Sequence, residues 1–544
     1  MYDIHMLSHF VTETIHLYVI IHILIITEDI IMYTDHTIFA GISTDARICL
    51  PLSKANRHGL ITGATGTGKS TTLKVLAEGF SNAGVPVFLE DVKGDLSGMM
   101  EAGVEKPWMS ERCKEAGITY EPQAFPVSFW DLSGKAGTPV RVTVTDMGPV
   151  LLARLLNLSE VQEGVLSIVF HVADDNGLLL LDLKDLRSML QYVSDHRKEL
   201  TASYGNVSTQ SIGAIQRALL KLEDEGADRF FGEPALSISD LFRTDHTGKG
   251  FINILSSSSL IHSPTVYSMF LLWMLSDLFE KLPEVGDCDK PKLVFFFDEA
   301  HLLFNDAPKA LVEKITQTVK LIRSKGVGIW FISQSPSDIP DPVLSQLQNR
   351  ITHALRAYTP AEIKAVKQTA SAFRPNPAFR CEDEIMSLGV GEALVSFLDE
   401  QGIPSIVEKT KILAPQSKEG PADPNQMTHY ITSSPLDETY RSTIDRESAF
   451  EIISEVQNEA QKQKEQEEKL TTFRKTTGRT VNRAISSATS SITRSVSTNM
   501  VNAMTGKKTK SVEKIAQQAA TNAVNQLLKG TLDSITRGIF GTKK

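Results

Sequence analysis

From Thr37 to about Ile412, short apolar runs alternate with longer stretches of helical period. Four of the runs are compact and bounded by turn residues: Gly59 to Thr62, Val85 to Glu90, Leu293 to Phe297 and Gly328 to Ser333. Apolar runs without polar alternation predict strands covered on both faces, and strands that alternate with helices predict an α/β domain with a mostly parallel sheet. Helical period recurs at Pro149 to Leu158, Leu183 to Leu190, Ser211 to Leu222 and Tyr267 to Leu282. This pattern predicts a mainly helical insertion over residues 101–290, set between two parts of one core, 32–100 and 291–414.

The two ends read differently. Leu17 to Ile26 is apolar but broken by His22, and the first 31 residues hold neither Lys nor Arg. A transmembrane span needs about 20 apolar residues and a signal peptide needs a basic start. Residues 1–31 therefore read as an upstream start or dispensable extension ahead of Met32, with no integral membrane association expected. After Pro415 the composition turns to Pro, Ser and Gly, and Asp445 to Leu470 is a charged helical stretch, which predicts a linker and solvated helix over 415–470. Residues 471–544 are rich in Ser, Thr, Ala and Lys, with weak helical period only from Ile515 to Phe540; this composition predicts disorder until a partner is met.

Composition narrows the class. Hydrophobic residues at 41% and charged residues at 22% exclude a wholly disordered chain and a polytopic membrane protein. Cys49, Cys113, Cys288 and Cys381 form no CxxC pair, so neither a zinc ribbon nor a disulfide framework is expected, and a cytoplasmic setting fits. The net charge of -9 conceals a division. Residues 471–544 carry 13 Lys and Arg against 2 acids, whereas the rest carries 43 against 63. An acidic body with a basic tail confines any nucleic-acid contact to a channel or to that tail.

The chemistry is concentrated in a few motifs. Gly63, Ala64, Thr65, Gly66, Thr67, Gly68, Lys69, Ser70 and Thr71 form a phosphate loop, preceded by the strand-like HGLIT and followed by a helical run. Such glycines let consecutive N–H groups surround phosphate oxygens at a helix N-terminus, with Lys69 on the β and γ phosphates of a nucleoside triphosphate and Ser70 on Mg2+. LVFFF, Leu293 to Phe297, delivers Asp298 and Glu299 from a buried strand. Asp298 is the second candidate for the metal, and Glu299 the candidate base for the attacking water. The next strand ends in Gln334, which senses the γ phosphate, orients water, or caps the following SPSD turn; the residues leave all three readings open. Asp91 and Asp95 close an acidic turn that either supports the attacking water or the metal shell or is a plain surface turn. Arg323, Arg350 and Arg356 are candidates for a charge supplied to a neighbouring subunit's site.

GATGTGKST, DVKGDLSG, LVFFFDEAHLLF and RSKGVGIWFISQSPSDIPDPVLSQLQNRI together resemble the HerA/FtsK superfamily of ring-forming DNA-pumping ATPases. MGPVLLARLLNLSEVQEGVLSIVF, FRPNPAF and LGVGEALVSFLDEQG resemble its bacterial HerA-like branch, which includes YjgR-type proteins. The resemblance spans about residues 36–450. It implies a RecA-like P-loop NTPase core, a homohexameric ring with ATP between subunits, and DNA in the channel. It also implies that Arg323 is the arginine acting in trans and Gln334 the γ-phosphate sensor. HerA enzymes carry an N-terminal barrel that docks a nuclease, yet at most 62 residues precede this phosphate loop, so a nuclease partner is not expected. The leading expectation is an ATP-driven DNA translocase or helicase. The alternatives are a nucleotide-switched regulatory or scaffolding ATPase, and a conjugation or secretion coupling ATPase of the kind that usually carries membrane spans.

Overall fold

A computed structural model of the protein describes residues 33–34, 36–44, 46–257, 264–286, 288–304 and 309–476. The proposed extension 1–31 and nearly all of the basic tail lie outside the described residues. The described chain forms two compact units, one from residues up to 142 with 222–443, the other from 143–221 with the chain after 443.

The first unit is built on a 13-stranded sheet. Its strands are β1 (Tyr33–Thr34), β2 (Thr37–Ile42), β3 (Arg47–Pro51), β4 (Gly59–Thr62), β5 (Val87–Asp91), β6 (Val127–Asp131), β7 (Thr138–Pro139), β8 (Ile252–Ser256), β9 (Leu293–Phe297), β10 (Val327–Ser333), β11 (Asn349–His353), β12 (Glu392–Ser396) and β13 (Glu408–Ile412). The spatial order is β1-β2-β13-β12-β11-β4-β10-β9-β5-β8-β6-β7, with β3 also paired to β2. From β11 to β7 every pairing is parallel, and from β11 outward through β12, β13 and β2 every pairing is antiparallel. One strand, β10, therefore separates the strand before the phosphate loop from the strand before Asp298. This is the α/β core with a mostly parallel sheet that the alternation of strands and helices predicts, and the phosphate loop leaves it at β4.

The apolar composition of the central strands follows from their double cover. Phe296 of β9 packs 6.2 Å from Phe80 of the helix Lys69–Asn82, and 5.9 Å from Trp330 on β10. Its neighbours Phe295 and Phe297 point to the opposite face, where Phe88 lies 6.3 Å from Phe270 of the helix Pro264–Lys281. Each such phenyl ring taken from water contributes about 2 kcal/mol. With both faces covered, the strand has no position for a polar residue until its end, which is where Asp298 and Glu299 occur.

The region 101–290 departs from the expected helical insertion. It supplies β6, β7 and β8 to the sheet, and its helices are confined to shorter stretches on either side of β8. The strand VSFWD of β6 is flanked by polar residues and turns that obscured it in the sequence. The segment after Pro415 departs as well, since its start is packed down. Glu78 is fully buried and needs donors; the backbone N–H groups of Gln416 and Ser417 and the Ser417 hydroxyl supply them at 2.7, 3.1 and 2.6 Å. Two short helices, Pro424–Thr432 and Pro435–Tyr440, follow on the same unit.

The second unit is helical. It contains Val144–Leu155, Glu160–Asp175, Leu183–Asp195 and Arg197–Tyr204, together with the charged helix Ala449–Thr476. Buried Asp185 anchors the start of that last helix by accepting from the Ser448 hydroxyl at 2.5 Å and the Phe450 N–H at 3.0 Å. Among the described residues, no helix is long and apolar enough to cross a membrane.

Candidate nucleotide site

Because β4, β5, β9, β10 and β11 run parallel, their C-terminal ends share one edge of the sheet. Register fixes what meets there. Thr62 pairs with Ser333 and with Thr352, and Phe331 pairs with Phe297, so the phosphate loop, Gln334, Asp298, Glu299 and His353 all emerge together.

The loop leaves β4 and returns as the helix Lys69–Asn82. Gly63 and Gly66 have φ of 157° and 76°, values that a side chain would strain, and a Cβ on Gly63 would approach the His353 Cβ to 2.5 Å. Thr65 and Gly66 form an exposed crest. Beneath it Lys69 is buried, and its ammonium donates to the carbonyls of Gly63 at 2.6 Å and Ala64 at 3.2 Å. Burial lowers the Lys69 pKa, against the pull of Glu299 and Asp298. A buried ammonium whose partners are neutral carbonyls, beneath a curl of N–H groups at a helix start, fits a polyphosphate.

Glu299 stands in the left-handed region at φ 47°. Its carboxylate pairs with Lys93 at 2.8 Å, accepts from Gln334 Nε2 at 3.4 Å and lies 3.4 Å from His301 Nδ1. Burial acts to raise its pKa, but the bond and charge of Lys93 outweigh it, and the carboxyl is held below its ordinary value. Asp298 behaves oppositely. Its burial, reinforced by the adjacent Glu299, pushes it up to about 6. With the Ser70 hydroxyl, Asp298 supplies the hard oxygen donors that Mg2+ takes, so these residues fit that ion.

The remaining candidates separate clearly. Asp91 uses both oxygens to cap its own turn, accepting from Gly94 N–H at 2.7 Å and Leu96 N–H at 3.0 Å. Neither Asp91 nor Asp95 bonds Asp298 or Glu299. Arg323 precedes β10, whereas Gln334 follows it, so a strand of about 20 Å separates Arg323 from its own chain's phosphate loop. Arg350 lies near that same far edge, with its Nε on the Leu347 carbonyl at 3.3 Å. Arg356 instead lines a cleft of about 660 Å³ together with Ala64, Thr65, His301, Gln334 and Tyr358.

Sequence reasoning missed three neighbours of the site. Lys93 was visible within DVKGD as the one cation in an acidic turn, and His301 as the second residue after Glu299. His353 ends β11 after the apolar Ile351, and only the strand order brings it under the loop.

The family described as helicase HerA-like C-terminal matches residues 38–544. The DNA double-strand break repair helicase HerA of Sulfolobus acidocaldarius is 21% identical over 392 residues, covering 71% of this chain and 70% of that protein. Its namesake from Saccharolobus solfataricus is 23% identical over 364 residues, covering 65% and 64%. A solved structure of the bacterial conjugative coupling protein TrwB is 16% identical, with a TM-score of 0.46, over 68% of this chain and 88% of that one. The chain belongs to the helicase HerA-like C-terminal family of P-loop ATPases.

Proposed function

We propose that the protein is an ATP-hydrolysing ring motor that moves along or unwinds DNA in the cytoplasm. The observation that carries this reading is the meeting of Lys69, Glu299 and Gln334 at one sheet edge, on a chain whose family match runs over residues 38–544. Turnover needs a base beside the phosphate loop, and a plain nucleotide-binding switch does not.

In this reading the loop N–H groups and Lys69 hold the phosphates of ATP, and Thr71 closes the first turn of the helix beneath them. Ser70 and Asp298 would hold Mg2+, which when bound neutralises phosphate charge. Glu299 accepts the proton of the attacking water, and Lys93, Gln334 and His301 fix its orientation. Arg323, at the far edge of its own subunit, acts on the next subunit of a homohexamer. The relatives' names support DNA as the cargo, and the basic tail with the ring channel provides places to meet it.

The test is hydrolysis of ATP by the full chain with Mg2+, with and without single- or double-stranded DNA, beside the mass of the ATP-bound Glu299→Gln assembly. DNA-stimulated turnover and a six-subunit mass are expected. Turnover indifferent to DNA would favour the nucleotide-switched scaffold.

A further inference from the structure

His353 is a buried polar group with both ring nitrogens engaged, and the mechanism above does not use it. Its Nδ1 meets the Glu392 carbonyl at 2.8 Å, so this nitrogen carries the proton and donates. Its Nε2 lies 2.7 Å from Thr72 Oγ1 and accepts from that hydroxyl. Thr72 belongs to the first turn of the helix that begins at Lys69, and its N–H bonds the Gly68 carbonyl at 3.0 Å. The ring therefore joins the start of the phosphate-loop helix to the start of β12.

The neighbouring turn makes a parallel connection. The Gly391 N–H donates to the Thr67 carbonyl at 3.0 Å, and a Cβ on Gly68 would meet Gly391 at 3.2 Å. Arg112, from the helix Pro107–Glu115, donates to the carbonyls of Gly391 at 3.2 Å and Ile412 at 2.7 Å. Thus the loop is held from the side away from Glu299 by β11 and by the turn before β12, and that turn is itself tied to the end of β13, whose Ile412 N–H donates to the Gly391 carbonyl at 2.9 Å. The antiparallel half of the sheet, which contributes none of the groups assigned to catalysis, is bonded directly to the half that does.

We propose that His353 is a positioning residue for nucleotide binding, fixing the phosphate loop against β12 through Thr72 and Glu392. It acts through the loop and touches no phosphate. Burial lowers the imidazole to about 4, so the ring stays neutral, with one donor and one acceptor, across the range in which the protein would work. A lysine ammonium or a second hydroxyl in its place could not offer that pair of roles at the two distances observed.

The proposal rests on the loop being an ATP site, so the wild-type chain is measured first. Binding of a fluorescent ATP analogue and steady-state hydrolysis are compared for wild type, His353→Ala, His353→Gln, Thr72→Val and the double variant His353→Ala with Thr72→Val, each with its unfolding temperature. His353→Ala and Thr72→Val should each weaken nucleotide affinity about tenfold, the worth of one well-made buried hydrogen bond. The double variant should be no weaker than His353→Ala alone, and His353→Gln should regain part of the loss. Wild-type affinity in Thr72→Val at an unchanged unfolding temperature would overturn the proposal, as would losses that multiply to about a hundredfold in the double variant. Losses that vanish once only the folded fraction is counted would overturn it too. Should His353→Ala fail to fold, Thr72→Val carries the same test by removing one hydroxyl. Absence of binding in the wild type overturns the loop reading itself, whereas binding there with unaltered variants overturns this proposal alone.

Discussion

Two adjacent carboxyls, Asp298 and Glu299, are driven apart in acidity by their surroundings. Asp298 is enclosed and pushed up to about 6, whereas the Lys93 ammonium at 2.8 Å holds Glu299 down. Under the proposed mechanism Lys69→Ala abolishes ATP binding, measured by equilibrium binding. Glu299→Gln keeps the nucleotide but lowers turnover by about a hundredfold or more, the usual worth of a general base. Unchanged turnover in Glu299→Gln would remove it from that role. Lys93→Met should move the acid limb of the pH–rate profile upward, because a carboxyl without its ammonium partner takes up its proton at higher pH. The shift should be modest, since the Lys93 side chain is 49% exposed and its charge partly screened. A limb that does not move would count against Glu299 as the titrating base.

Elements were legible where periodicity alone defines them. The strand LVFFF and the loop GATGTGKS predicted their own positions, because an unbroken apolar run and a set of glycines before a helical pattern each admit few conformations. Periodicity does not mark the strand VSFWD within a region that reads as helical, and the composition after Pro415 reads as a linker. Polar flanks and turns hide the first, and the placement of both depends on distant partners, β8 for the strand and buried Glu78 for the segment after Pro415. His58 shows the same dependence. Immediately before β4, its Nε2 donates to the Val319 carbonyl at 2.7 Å, while its Nδ1 accepts from the Ile329 N–H at 3.0 Å. A single ring thus fastens the helix Lys309–Ile322 and β10 to the strand that carries the phosphate loop.

Burial lowers the His58 imidazole to about 4. A base depressed in the folded state is protonated first in the unfolded chain, so its stabilisation is intact above about 6.5 and is lost as pH falls toward about 4. For one group this is on the order of 3 kcal/mol. His58→Gln should therefore lose less unfolding temperature across that window than the wild type. Equal slopes would show that His58 is not neutral in the native protein.

At the scale of the whole molecule, charge and topology separate the tasks. The acidic body holds the groups proposed for hydrolysis at one sheet edge, Arg323 lies at the other, and positive charge is concentrated after residue 470. A residue that cannot reach its own loop has a signature in mixtures. Arg323→Ala chains added to wild type should depress ATP turnover more than in proportion to their fraction, because each disables a neighbour's site. A linear decline would return Arg323 to a surface role.

The claim that turnover is spent on movement along DNA is tested most directly by the rate of ATP hydrolysis as a function of DNA length, at saturating ATP and a fixed concentration of DNA ends. A motor that travels before leaving at an end hydrolyses more ATP per encounter on longer DNA, so the rate should rise with length and then level off. A rate that is the same at every length, or the same without DNA, would contradict the account.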